Sequence, residues 1–217
     1  MDATAAPAKP LLRGTLHQWA FWFSLVAGSL LVAEAHGAVR TGAAAAFAAS
    51  VATCFGVSAL YHRVTWTPRL RLWMRRFDHA GVYLLIAGTY TPVGLLVLSG
   101  GWRVGVLGVV WTGVAAAILL KFIWVGAPKA LAAGIGLALG WVAVVALPKL
   151  VTAIDAAGFV LLVIGGLLYT AGAIVYARRR PDPFPAVFGY HELFHALTIV
   201  AVACQYVAIA FFVIRVG

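Results

Sequence analysis

Seven apolar stretches, each near the length needed to cross a bilayer, decide what this chain can fold into. They run over about 17–36, 41–62, 79–99, 102–121, 129–147, 152–177 and 188–214, and a hydrocarbon core about 30 Å thick takes about 20 residues of helix. A segment in lipid must satisfy its backbone hydrogen bonds internally, so each stretch reads as a helix. The composition agrees. Of 217 residues, 64% are hydrophobic and 10% charged, where a soluble domain carries about 25% charged residues. Mean hydropathy is +1.00. The gaps are short and no repeat or low-complexity tract divides the chain. The expectation is an all-α polytopic membrane protein, one seven-transmembrane-helix domain over 1–217 with a short tail at 1–16.

The formal charge of +10 invites a nucleic-acid reading, but the cations sit in the gaps between apolar runs, where Lys and Arg mark topology. Lys9, Arg13, Arg63, Arg69, Arg71, Arg75, Arg76, Lys121, Lys129, Arg178, Arg179 and Arg180 fall on one side of a seven-span chain; Arg40, Arg103, Lys149 and Arg215 fall on the other. This bias places the N-terminus in the cytoplasm and the C-terminus outside, in the plasma membrane, with lipid and not nucleic acid as the partner. Lys9, Arg13 and the apolar stretch to "AEA" at Ala33–Ala35 imitate a cleavable signal; an uncleaved first span is expected.

Within the runs, Cys54 and Cys204 read as small packing residues. Gly136-x-x-x-Gly140 has helix-packing spacing, read as close contact within one chain. Pro92 is expected to kink the third helix.

Ionisable groups at membrane depth are costly, and those present converge. His62 closes the second run, Asp78 and His79 open the third, and His191, Glu192 and His195 open the seventh. With alternating topology these ends share one membrane face. His191 and His195, four apart, project from one side of a helix, and Ser58 lies one turn from His62 in the same way. Three imidazoles on two facing helices suit zinc, leaving the fourth position open as in catalytic sites. Zinc, a hydroxide and an ionised Asp78 would sum close to neutrality, so burial is tolerable. Asp78 would orient the water and Ser58 would bond nearby. The bland reading is interfacial histidines.

His191-Glu192-Leu193-Phe194-His195 also matches the H-E-x-x-H pattern of zinc proteases. No Asp, Glu or His follows His195 to supply the usual downstream ligand, which argues against a protease. Glu192 points about 100° away from His191 around a helix and is expected to pair with an arginine instead.

The blocks "SALYH", "FDHAGVYLLIAGTYTP", "GGLLYTAGAIVYA" and "FGYHELFHAL" resemble the signature blocks of the hemolysin III family, within the superfamily of progestin and adipoQ receptors and more distantly similar to alkaline ceramidases. The resemblance runs from "RGTLHQWAF" at Arg13–Phe21 into the seventh run. It implies seven helices with a cytoplasmic N-terminus, zinc on His62, His191 and His195, and functional roles for Asp78 and Ser58. Glu192 departs from it, since receptor members tend to have glutamine there; His17 and His79 are not expected to be ligands.

Three functions follow. The first is a zinc-dependent hydrolase of lipid amides or esters, with Asp78 as general base and Ser58 at the oxyanion. The second is a receptor or sensor stapled by structural zinc. The third is the lytic pore of the family name, for which the helices lack a repeated polar stripe.

Overall fold

The computed structural model describes residues 9–215; positions 1–8 of the expected 1–16 tail lie outside the described residues. Every regular element is helical: α1 (Thr15–Ala33), α2 (Ala38–Arg63), α3 (Pro68–Leu96), α4 (Gly100–Ile123), α5 (Lys129–Gly140), a 3-10 segment (Val142–Ala146), α6 (Leu147–Ala153), α7 (Ala156–Arg178) and α8 (Tyr190–Ala208), the last continuing as a π turn (Ile209–Val213). Taking Lys129–Ala153 and Tyr190–Val213 as single units, seven helices among the described residues are long and apolar enough to cross a membrane. The all-α, seven-helix expectation holds.

Two boundaries differ instructively. The third run suggested a helix opening at Asp78–His79, yet α3 begins at Pro68, with Pro in its first turn and Thr67 accepting from Leu70 N at 3.5 Å. A hydropathy run reports where lipid begins, whereas a helix can start in water with a cap and a basic first segment. Asp78 therefore lies nearly three turns inside α3, at about 3.6 residues per turn.

The fifth run reads as one helix but breaks after Gly140. The Tyr90 hydroxyl donates to Gly140 O at 2.7 Å and accepts from Ala143 N at 2.8 Å. One side chain thus satisfies two backbone groups that the break frees, which makes a discontinuity tolerable at membrane depth. Pro92 remains inside continuous α3, buried.

The Gly136-x-x-x-Gly140 reading is corrected. A Cβ at Gly136 would reach only ordinary contact at 4.0 Å, and one at Gly140 would meet nothing, because the fifth span is the least buried of the seven. The close approach lies between α2 and α3. A Cβ on Gly81 would come within 3.2 Å of Cys54 Cα, and one on Gly88 would overlap Ser50 Oγ at 1.9 Å. Small residues let the two backbones meet without any hydrophobic drive between helices in lipid. Both cysteines are free, Cys54 buried and Cys204 partly buried, as packing residues.

Two apolar cores meet at α3. One joins α3 and α4 to the fifth span, with Tyr83, Val110 and Leu150 among its members. The other joins α1, α2 and α8 around Phe47, Phe55 and Val202. The ends of α2 and α8 thereby come together beside α3.

Candidate metal centre

Chain entry into α1 shapes one wall of the site. Gly14 adopts φ +81°, and a Cβ there would sit 2.5 Å from His62 Cβ; only glycine lets the chain cross over the end of α2. The described tail is anchored by Leu11 N and Leu12 N donating to Ala186 O and Val187 O at 3.0 and 3.1 Å. Lys9 Nζ donates to His62 O, a C-terminal carbonyl of α2. Partial burial, with Arg13, Arg71 and Arg63 nearby, holds Lys9 below the usual lysine range.

The start of α8 is built by Glu192. Its Oε2 accepts from Gly189 N at 3.0 Å in a capping box, and its Oε1 pairs with Arg13. Glu192 is fully buried and Arg13 is its charge partner, the kind of arginine expected for it. This fixes the first turn of α8 and so aims His191 and His195.

The three histidines meet. His62 Nε2 and His191 Nε2 lie 3.1 Å apart, and one ligand atom from each of His62, His191 and His195 falls within 4.8 Å of the others. His62 and His195 are buried. Nitrogens around one tetrahedral ion stand about 3.3 Å apart for bonds of about 2.0 Å, so the donor set fits a metal ion with small adjustment. Asp78 Oδ2 is 4.0 Å from His62 Nε2, and Ser58 lines the same cavity as Asp78. All five residues named from sequence therefore come together, from helices α2, α3 and α8.

Two contacts were not anticipated. The His17 ring stacks on His195, centroids 3.7 Å apart and planes 5° from parallel, although His17 lies outside the ligating group. His79, which the sequence already put on this face, lines the site without joining that group. Lys129 Nζ folds inward, donating to Tyr190 Oη at 2.8 Å and lying 4.6 Å from the Tyr176 ring centroid. The only available signals were a histidine inside the first apolar run and a lysine opening the fifth.

Below the cluster runs a cavity of about 440 Å³. Its near end carries the three histidines, Asp78 and Ser58; farther down it is walled by Ile86, Val93, Leu147, Leu150, Phe159 and Leu162. A polar end carrying the histidines thus gives onto a mainly apolar shaft.

Comparison with known proteins gives one consistent result. The sequence profile of a family described as Haemolysin-III related matches residues 6–206. The chain is 30% identical over 170 residues to "Hemolysin-3 homolog" of Bacillus subtilis (strain 168), covering 78% of this chain and 76% of that protein. It is 31% identical over 159 residues to "Hemolysin-3" of Bacillus cereus, covering 72% and 68%.

Proposed function

The chain belongs to the Haemolysin-III related family, and from that premise we propose that this multi-pass membrane protein is a zinc-dependent hydrolase of lipid amides or esters. The observation that carries the reading is the junction of His62, His191 and His195 with a carboxylate and an apolar shaft. His62, His191 and His195 would hold zinc, whose Lewis acidity makes water deprotonable near neutral pH.

The protein's own groups supply the rest. The shaft takes the acyl chain and keeps bulk water from the reacting carbonyl. Asp78, beside His62, accepts the water proton at its carboxylate and returns it to the leaving nitrogen or oxygen. The Ser58 hydroxyl donates toward the oxygen where negative charge develops. Arg13 and Glu192 hold the turn carrying His191 and take no part in proton transfer. The basic-residue bias supports a cytoplasmic N-terminus with the metal at the cytoplasmic face; a plasma-membrane location and a single domain over the whole chain belong to the same proposal.

One observation favours a second reading, zinc as a staple of a receptor-like protein: Lys9, Arg13 and His17 all tie the entering chain to the same cluster. The relatives' name raises a lytic reading, but the charged cluster sits at one end of a mainly apolar shaft.

The test is elemental analysis of purified protein beside His191→Ala, followed by turnover assays on lipid amides and esters. About one zinc per chain, lost in the variant, with turnover, is expected. Zinc without turnover, and with loss of thermal stability on chelation, would move the assignment to the staple. No zinc in the wild type would sink both.

A further inference from the structure

By sequence, Asp78 is the charge that stands against the metal. The structure adds two cations to the same cavity. Arg75, one turn before Asp78 on α3, and Lys129, at the start of α5, both line it. Arg13, the remaining cation of the lining, is neutralised by Glu192. Neither Arg75 nor Lys129 forms an ion pair among the described residues. The other described carboxylates are not available: Asp182 accepts from Tyr190 N at 2.7 Å, Asp155 caps α7 at 2.8 Å, and Glu34 lies beyond the far end of α1.

Among the described residues Asp78 is therefore the sole carboxylate facing the cavity, against two cations without an ion-pair partner, and a divalent ion would widen the imbalance. Uncompensated charge in a mostly apolar enclosure is costly. Cations near a membrane face ordinarily snorkel outward. Lys129 instead turns inward, held by Tyr190 and over the Tyr176 ring, and Tyr176 lies 5.9 Å from the His191 ring. The missing charge thus belongs beside the histidines, at the polar end of the shaft.

We propose that the cavity takes an acyl amphiphile with an anionic head, phosphate or carboxylate, held between Arg75 and Lys129. The inference rests on the lipid-binding reading above but needs no turnover. Guanidinium and ammonium groups are the usual partners of such anions.

The experiment is equilibrium binding of three radiolabelled palmitoyl probes to purified, metal-loaded protein in a neutral maltoside detergent. The probes are lysophosphatidate, palmitate and monopalmitoylglycerol. At least one anionic probe should bind about tenfold more tightly than the glycerol ester, and Arg75→Gln/Lys129→Gln should cut that preference to about twofold while leaving the ester's affinity unchanged. Lysophosphatidate alone showing the preference would identify phosphate; palmitate alone would identify carboxylate. Equal affinity for all three, or a preference surviving in the double variant, overturns the proposal. Should the double variant not fold, Arg75→Gln alone is read by the same ratio and must lower it. Anionic binding without hydrolysis retires the hydrolase and keeps this site; hydrolysis with a neutral preference does the reverse.

Discussion

The imidazole of His17 lies flat on that of His195, 3.7 Å away, and neither His17 nitrogen has a hydrogen-bond partner among the described residues. His17 thus acts on the cluster as a plate, limiting how the His195 ring can turn. His17→Ala should weaken metal affinity about tenfold, in line with losses on removing groups that orient a ligand. His17→Phe, which keeps a flat ring, should retain most of it. Competition with a chromogenic chelator reads both, and unchanged affinity in the alanine variant would remove the bracing role.

Asp78 stands beside the histidines without belonging to the ligating group. Asp78→Ala should keep most of the bound zinc and lower lipid turnover by about a hundredfold or more, the scale of general acid–base catalysis. Parallel zinc content and turnover on one preparation separate the roles. Loss of both together would make Asp78 part of the metal's support.

Glu192 is fully buried and paired to Arg13. Arg13→Ala should destabilise the protein by about 3 kcal/mol, because the carboxylate is left buried and uncompensated. Arg13→Ala/Glu192→Gln should recover much of that loss. Thermal unfolding in detergent tests the pair; a double variant no better than Arg13→Ala would show that the carboxylate is not the source of the cost.

At Gly88 a Cβ would overlap Ser50 Oγ at 1.9 Å and approach Ala46 O at 3.1 Å. Gly88→Ala should therefore part α2 from α3, which carry His62 and Asp78, and cost about 1–3 kcal/mol by overpacking. Adding Ser50→Gly should relieve part of the strain, leaving the Ala46 contact. Unfolding temperature and zinc content report the two consequences, and a stable Gly88→Ala with full zinc would show that the interface yields freely.

Much of the site was legible because its residues break local rules. His62, Asp78, His191 and His195 interrupt or border apolar runs, and the alternation of spans puts those run ends on one face. Glu192 was legible as a residue pointing away from the histidines, though its capping of Gly189 was not. His17 was legible as a non-ligand on the same side, but its contact was not; only the arrival of His195 gives it a role. Lys129 and Arg75 looked like topology signals, and their inward placement depends on Tyr176, Tyr190 and the α3 surface. The broken fifth span was hidden because Tyr90, 50 residues from Gly140, supplies what the break lacks.

The sequence by itself determined that there are seven spans, that they are helical, and which residues could ligate a metal. Transfer into lipid and backbone satisfaction are properties of each segment alone. The tertiary structure decided where α3 begins relative to its ligand-side carboxylate, which glycines bring helices together, and which charges face the cavity. Those outcomes depend on side chains from distant helices filling, pairing or clashing at short range, and no periodicity within one helix encodes them.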